Sequence, residues 1–245
     1  TSNIKKIRIK TKDNNIEKTA KNVILATGAR SRNLPFVSSD GVNIWDYKTA
    51  MTPPKLPSSI IIVGSGAIGM EFASFYNDLG VNITIVEALP SILPNEDIDI
   101  SNIVKLNFEK RGIKIKTNST LKSVTNKKNS ISAEIIINEN VETIYSEKLI
   151  LAIGIVANTE NLGLEDFNVK IDKGHVVTNE FLETDEKGVY AIGDITDGPW
   201  LAHKASHEGI LCVEKIAGHK NLKPIDKTSI PGCTYCRPQV ASIGM

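Results

Sequence analysis

The sequence has few cysteines, almost no net charge and no long apolar run. Three cysteines are an odd number without the spacing of a disulfide framework, so we expect a reducing compartment, the cytoplasm. With 29 basic and 28 acidic residues, the net charge of +1 gives no electrostatic reason to expect nucleic acid or an anionic membrane as a partner. No apolar run approaches about 18 residues, so we expect neither a transmembrane helix nor a secretory signal.

The composition that is present is that of a globular protein with a real core. Hydrophobic residues make up 41% and charged residues 23% of the 245 positions, enough for one large domain or two ordinary ones. Thr1 falls in polar, strand-like sequence, and Met245 directly follows the apolar stretch "QVASIG". Neither end resembles a domain edge, so we expect a fragment of a longer protein.

The hydrophobic periodicity alternates between strand and helix patterns along most of the chain. Predicted strands and strand-like pieces are a hairpin within 3–29 that turns at Asp13–Asn15, then 23–26, 60–63, 82–87, 113–117, 121–126, 131–138, 141–155 and 188–194. Predicted helices are a short one near Tyr47–Met51, one that carries Ile68, Phe72, Phe75 and Leu79 at helical spacing before Gly80, and those over 96–112 and 201–217. This order is typical of an α/β fold with parallel sheets.

Two segments repeat one pattern. "NVILATGA" (22–29) and "KLILAIGI" (148–155) share a three-residue apolar run, an alanine, one further residue and a glycine. They bracket a complete strand–helix–strand unit. The repeat therefore predicts two Rossmann-like nucleotide-binding domains, one inserted into the other.

The clearest motif is G-x-G-x-x-G at Gly64, Gly66 and Gly69, between a predicted strand and a predicted helix. Gly64 permits the sharp turn out of the strand, Gly66 lets the backbone approach a pyrophosphate, and Gly69 allows close helix–sheet packing. The helix N-terminus then offers N–H groups and partial positive charge to the phosphates.

Glu87 lies at the end of the next strand, 23 residues after Gly64. A carboxylate there accepts hydrogen bonds from a ribose 2′-hydroxyl and repels a 2′-phosphate, and no arginine lies between residues 88 and 110 to bind one. The motif therefore favours NAD over NADP, although the same fold also binds FAD.

Four stretches resemble the FAD-dependent pyridine-nucleotide–disulfide oxidoreductases. They are "KNVILATGARSR", "IIIVGSGAIGMEFASFYNDLGVNITIVE", "GVYAIGDITDGPWLAHKASHEG" and "IPGCTYCRPQVASIGM", in family order across nearly the whole chain. Within the family, the similarity is greatest to members that oxidise dihydrolipoyl groups. The resemblance implies that 1–42 ends a first FAD-domain segment, 43–157 is an inserted NAD domain, 158–225 returns to the FAD domain, and 226–245 opens a C-terminal interface domain.

The resemblance also implies cofactor-binding positions. For NAD these are Gly64, Ser65, Gly66, Ala67, Ile68, Gly69, Met70, Glu71, Glu87, Leu121 near the adenine and Gly154 close to the dinucleotide. For FAD they are Thr27, Gly28 and Ala29 in a turn, Asp194 on the ribityl hydroxyls, and Trp200, Leu201, Ala202 and His203 at the start of a helix that points at the flavin.

The sequence departs from the family pattern in two ways. The family usually has arginine after the glycine that matches Gly154, whereas this chain has Ile155, which weakens a contact near NAD. The family's first G-x-G-x-x-G and its C-x4-C redox pair should precede residue 1, and its catalytic His-Pro and partner glutamate should follow residue 245. We therefore expect no catalytic residue within these 245 positions.

The implied activity passes electrons from dihydrolipoyl groups through FAD to NAD. The implied partners are the lipoyl-bearing acyltransferase component of a 2-oxo-acid dehydrogenase complex and a second copy in a homodimer. Two alternatives remain: another NADH-dependent flavin disulfide reductase or NADH oxidase, and a non-catalytic NAD-binding module.

Other cysteines and histidines have structural interpretations. Cys233 and Cys236 form a C-x-x-C in strand-like sequence, where residues three apart point to opposite faces, so neither a redox pair nor a zinc site is expected. Cys212 is expected to be buried in a helix. His203 and His207 have i, i+4 spacing without an evident third ligand, so no metal is expected.

Overall fold

The structure is a computed structural model that describes residues 4–128 and 130–244. The two chain ends, and Asn129 in the expected turn at 126–129, lie outside the described residues. The chain divides into two compact units. The central unit comprises Ser31–Ile155 and Pro231–Ser242, and the flanking unit comprises Thr1–Arg30, Val156–Ile230 and Ile243–Met245.

The elements of the described residues follow the α/β order that the periodicity predicts. The strands are β1 Lys5–Lys10, β2 Asn15–Ala20, β3 Val23–Leu25, β4 Ala29–Ser31, β5 Ile44–Trp45, β6 Ser59–Val63, β7 Asn82–Val86, β8 Lys114–Lys116, β9 Ser119–Lys127, β10 Ser130–Ile137, β11 Asn140–Ser146, β12 Lys148–Leu151, β13 Ile155–Ala157, β14 Ile171–Asp172, β15 His175–Val176, β16 Val189–Ala191, β17 Gly232–Thr234 and β18 Val240–Ser242. The helices are α1 Tyr47–Met51, α2 Ala67–Asp78, α3 Ile98–Lys110 and α4 Ala202–Ile216, with 3₁₀ turns at Leu164–Asp166, Gly193–Ile195 and Lys227–Ser229.

A five-stranded parallel sheet in the order β5-β12-β6-β7-β8 forms the core of the central unit. Its middle strands are apolar on both faces, and Ile60, Ile62 and Ile150 are buried, as expected for a parallel strand covered on both sides. The α/β fold class is therefore confirmed.

The predicted strand over 141–155 is wrong as a single element, because the chain changes sheets within it. β11 pairs antiparallel with β10, in a sheet of order β11-β10-β9, whereas β12 pairs parallel with β6. The change occurs at Glu147, whose carboxylate accepts a hydrogen bond from Ser58 N at 2.9 Å. Uniform β propensity along the segment hides this change from periodicity.

The buried face of α2 differs from the apolar stripe that indicated the helix. Phe75 and Leu79 are about half exposed, whereas Met70, Ala73 and Tyr76 are buried against the sheet. The stripe predicted the helix correctly but not its packed face, because small residues that approach the sheet carry little hydrophobic signal.

The segment 231–242 packs in the central unit on α2. The carboxylate of Glu71 accepts a hydrogen bond from Tyr235 N at 2.8 Å, and Arg111 donates to the carbonyl oxygen of Arg237 at 2.8 Å. Cys236 and Val240 join the main core cluster. Residues 31–42 also belong to this unit, so the compact units divide the chain at other points than the domain boundaries implied by the resemblance, which stay a prediction.

The flanking unit contains the antiparallel β1–β2 hairpin and the parallel pair β3–β16. β16 runs into the turn Gly193–Ile195, and α4 packs beside it through Leu211 and Cys212. Both β3 and β16 end at the same edge, because their register is parallel from Val23–Val189 to Leu25–Ala191. Within the described residues, no helix is long and apolar enough to cross a membrane.

Candidate functional site

The turn between β6 and α2 packs so closely that two of its glycines cannot carry a side chain. Gly64 has φ +100°, and a Cβ there would lie 2.3 Å from the carbonyl oxygen of Ala152. A Cβ on Gly69 would lie 2.1 Å from the carbonyl oxygen of Gly64. Close backbone packing therefore explains why glycine is needed at both positions, as the motif implies.

Gly66 differs from its two neighbours in the motif. It has φ −68°, which any residue can adopt, and a Cβ on it would meet no atom within 4 Å. Gly66 is the N-cap of α2, and among the described residues no side chain caps this helix start. The open space and the uncapped backbone therefore form a cradle that fits a pyrophosphate.

Glu87 is held rigidly beside this turn. Its carboxylate accepts hydrogen bonds from Ser65 N at 2.8 Å and Ser65 Oγ at 2.6 Å through one oxygen, and from Leu89 N at 2.8 Å through the other. Only 7% of the residue is exposed. The oxygen with a single donor retains capacity for another hydrogen bond, which a ribose hydroxyl could supply.

A cleft of about 390 Å³ joins the turn, Glu87 and two further expected positions. Leu121 from β9 and Gly154 after β12 lie on its wall. The lining residues are Leu34, Val63, Gly64, Ser65, Gly66, Val86, Glu87, Ala88, Ser119, Thr120, Leu121, Ala152, Ile153 and Gly154. Among these described residues none is Lys or Arg, so Glu87 supplies the only side-chain charge of the lining.

Some expected NAD positions lie away from the cleft. Ala67 and Ile68 are exposed in the first turn of α2, while Met70 is fully buried in the core. The carboxylate of Glu71 contacts the backbone of Tyr235 instead. Only the segment from Gly64 to Gly66, with Gly69 packed behind it, builds the cradle itself.

Sequence reasoning missed several residues of the cleft wall. Ala152 and Ile153 were within reach, because they belong to the repeated pattern at the carboxyl end of β12. Ser119 and Thr120 begin β9, and Ser119 N donates to the carbonyl oxygen of Glu87 at 2.8 Å. Nothing in the local sequence marks that contact, since it arises only when β9 reaches the end of β7.

The first expected FAD turn, Thr27–Ala29, lies after β3 in the flanking unit. Thr27 Oγ1 donates to the carbonyl oxygen of Asn158 at 2.8 Å, and Asn158 N donates to the carbonyl oxygen of Gly28 at 2.9 Å. Gly28 has φ +66°, and a Cβ there would meet no atom within 4 Å. Hydrogen bonds to Asn158 therefore hold the turn on one side, and the space beside Gly28 is open on the other.

Asp194 lies at the same edge, in the turn after β16. Its carboxylate has no hydrogen-bond partner among residues 4–128 and 130–244, and it is partly exposed. α4 begins at Ala202 after the N-cap Leu201, whose apolar side chain makes no capping hydrogen bond. An acceptor without a partner among the described residues, next to a helix start whose N-cap residue is apolar, fits a hydroxyl-bearing, anionic cofactor. Trp200 contributes its ring to a stack with His175, with centroids 5.2 Å apart.

The cysteines are free and differ in exposure. Cys233 is exposed, Cys236 and Cys212 are buried, and no disulfide joins them. Burial raises the pKa of Cys212 to about 11 and also raises the pKa of Cys236. A thiol with a raised pKa is protonated at neutral pH and is a poor nucleophile. Within the described residues no group of three or more His, Cys, Asp and Glu side chains could hold a metal ion.

These thiols should therefore react unequally. When the native protein is treated with iodoacetamide at pH 8, we expect Cys233 to be alkylated at least about tenfold faster than Cys212 and Cys236, because its thiol is exposed, whereas theirs are buried with raised pKa values. Peptide mass spectrometry measures the adducts, and the three rates should converge in guanidinium chloride. Equal rates for Cys233 and Cys236 in the native protein would contradict the buried position of Cys236.

The strand–glycine turn–helix with its acid defines the central unit as a Rossmann-type dinucleotide-binding fold, and the comparisons agree. Residues 2–209 match the model of the pyridine nucleotide-disulphide oxidoreductase family, so the chain belongs to that family. It is 50% identical over 228 residues to dihydrolipoyl dehydrogenase of Rhizobium etli and 48% identical over 227 residues to that of Zymomonas mobilis. These alignments cover 93% and 92% of this chain but 47% and 49% of the relatives.

Solved structures show the same fold. LpdA from Mycobacterium tuberculosis matches with a TM-score of 0.90 at 30% identity, over 97% of this chain and 51% of that one. The HOCl-induced flavoprotein disulfide reductase RclA from Escherichia coli matches with a TM-score of 0.89 at 23% identity, over 98% of this chain and 54% of that one, which shows a shared fold alone. The chain spans about half the length of the curated relatives it matches.

Proposed function

We propose that the cleft at Gly64–Gly66 binds NAD in a flavoenzyme that oxidises dihydrolipoyl groups. The observation that carries the proposal is the convergence of the open cradle at Gly66, the fixed carboxylate of Glu87 and the wall at Leu121 and Gly154 in one cleft. The name dihydrolipoyl dehydrogenase, which the relatives at up to 50% identity carry, favours this activity over a different disulfide reductase or a non-catalytic module.

The proposed roles in the NAD site follow from the contacts. The backbone from Gly64 to Gly66 and the start of α2 bind the pyrophosphate, and the oxygen of Glu87 that has one donor binds the adenosine ribose. Glu87 also excludes a 2′-phosphate, because no cation in the cleft lining offsets its charge. Leu121 packs near the adenine.

The proposed FAD site is the edge formed by Thr27–Ala29, Asp194 and the start of α4. Asp194 accepts hydrogen bonds from ribityl hydroxyls, and the N-terminus of α4 at 200–203 stabilises negative charge on the reduced ring. When bound, the flavin would carry electrons from a dithiol to NAD. The residues present supply binding, orientation and electrostatics, whereas Cys212 and Cys236 are too deeply buried to supply the reactive thiols.

The family membership extends the proposal to organisation and partners. We propose that 43–157 is the NAD domain, that 1–42 and 158–225 are FAD-domain segments, and that 226–245 opens an interface domain through which the whole protein forms a homodimer. The proposed partner is the lipoyl-bearing acyltransferase of a 2-oxo-acid dehydrogenase complex, in the cytoplasm. The names of the relatives support the proposed partner, and the free cysteines support the proposed compartment.

The experiment compares the protein at its full natural length with the isolated 245 residues. The full-length protein should contain FAD, with flavin absorbance, and should form NADH at 340 nm from dihydrolipoamide and NAD⁺. The 245-residue chain should bind NADH but show no turnover, because two of its three thiols, Cys212 and Cys236, are buried and the exposed Cys233 has no disulfide partner among the described residues. Turnover by the 245 residues alone, or a full-length protein that ignores dihydrolipoamide, would refute the proposal.

A further inference from the structure

A buried ion pair on α4 lies directly against the turn that carries Asp194. Lys204 and Glu208 are one helical turn apart, with Nζ and Oε1 at 3.0 Å and side chains 0% and 4% exposed. An ion pair so fully removed from water contributes little or no net stability compared with apolar residues of the same volume. Its contacts with the turn therefore need a separate explanation.

The pair binds both ends of the turn. The second oxygen of Glu208 accepts a hydrogen bond from Gly193 N at 2.6 Å. Lys204 Nζ donates to the carbonyl oxygen of Asp197 at 3.2 Å and to Thr196 Oγ1 at 3.3 Å. Asp194 lies between these anchored positions and makes none of these contacts itself.

Hydrogen bonds within the turn, and its close packing on α4, further restrict the backbone conformation around Asp194. Thr196 donates through both its N and its Oγ1 to the carbonyl oxygen of Gly193, at 3.1 and 2.8 Å. Gly193 has φ +75°, and a Cβ there would lie 3.4 Å from the Cβ of Ala205 on α4. The ammonium and the carboxylate thus complete a closed set of hydrogen bonds that fixes the backbone on both sides of Asp194.

We propose that Lys204 and Glu208 are positioning residues that aim the carboxylate of Asp194 at the flavin cofactor. The inference rests on the proposed function of Asp194. It predicts that Glu208 affects cofactor affinity only through Asp194, because Glu208 bonds to the turn rather than to the edge where the cofactor would lie.

The test is a double-mutant cycle of Asp194→Asn and Glu208→Gln in the protein at full natural length, stripped of flavin and titrated with FAD by fluorescence quenching. Glu208→Gln should weaken FAD binding on the order of tenfold, the scale of one hydrogen bond to a charged group. In the Asp194→Asn background the same substitution should weaken it less than about twofold. Glu214→Gln, on the same helix but away from the turn, is the matched control and should leave affinity unchanged.

A second variant separates positioning from folding. Lys204→Met combined with Glu208→Leu removes both charges at similar volume and leaves only the N–H of Gly193 without its acceptor, so the variant should stay folded, with its thermal unfolding lowered by no more than about 10 °C, while its FAD affinity falls as in Glu208→Gln. Additive effects in the cycle, or unchanged FAD affinity in this folded double variant, would overturn the positioning role of Lys204 and Glu208 but not the proposed function of Asp194. If the wild-type protein takes up no FAD, the proposed function and the positioning role both fail.

Discussion

Replacing Glu87 by glutamine should weaken NADH binding about tenfold and should abolish most of the preference for NADH over NADPH. The amide keeps the shape of the carboxylate but removes its charge, so a ribose hydroxyl loses a charge-assisted hydrogen bond worth about 1.5–3 kcal/mol. A 2′-phosphate about 5 Å from the carboxylate is repelled by about 3 kcal/mol per unit charge at an effective dielectric constant of about 20, and this repulsion disappears. Fluorescence titration with each nucleotide measures both effects.

Glu87→Ala is the harsher variant of the same test. It leaves the two donors of Ser65 and the N–H of Leu89 without their acceptor, which should cost about 1–3 kcal/mol of folding stability besides the loss of affinity. Glu71→Gln is a useful control, because that carboxylate contacts Tyr235 and should leave NADH affinity unchanged. If Glu87→Gln binds NADH and NADPH as the wild type does, the ribose contact does not exist.

Two glycines of the motif, Gly66 and Gly69, should respond to alanine in opposite ways. Gly69→Ala should destabilise the fold by about 3 kcal/mol, because its Cβ would overlap the backbone of Gly64 at 2.1 Å. Gly66→Ala should change stability by less than about 1 kcal/mol, since its Cβ enters open space at an ordinary φ. That open space is the cradle, however, so Gly66→Ala should weaken NADH binding at least about tenfold.

Chemical denaturation measures the stability of the two alanine variants, and titration with NADH measures their nucleotide affinity. Together they test whether Gly69→Ala affects mainly stability and Gly66→Ala mainly affinity. Gly80→Ala, at the end of α2, is a control for left-handed glycines outside the site, and it should lower stability but not nucleotide affinity of the folded protein. A Gly66→Ala protein that keeps full NADH affinity would show that the phosphates do not lie on this turn.

The sequence predicts those parts of the fold in which the conformation of a short segment depends mainly on its own residues. The strand at Ile60–Val63, its glycine turn and the acid at Glu87 follow from spacing alone, because each residue type has a backbone or charge reason to stand where it does. The structure places these residues in one cleft, whereas their binding of NAD stays a prediction.

Features that depend on distant contacts could not be predicted in this way. The sheet change at Glu147 is hidden in a uniform β-rich segment, and the docking of Cys236 on α2 depends on Glu71 and Arg111, which are more than 120 residues earlier. From the sequence alone, Lys204 and Glu208 have the i, i+4 spacing of an ordinary exposed ion pair on a helix. Only their burial against the Gly193 turn distinguishes them from such a pair. Tertiary packing decides each of these cases.

Parallel titrations of the wild-type protein with NADH and NADPH test the central claim most directly. If the fixed carboxylate of Glu87 binds the adenosine ribose in a cleft whose described lining residues include no Lys or Arg, NADH should bind at least about a hundredfold more tightly than NADPH. Equal affinities for the two nucleotides, or no measurable binding of NADH, would contradict the account.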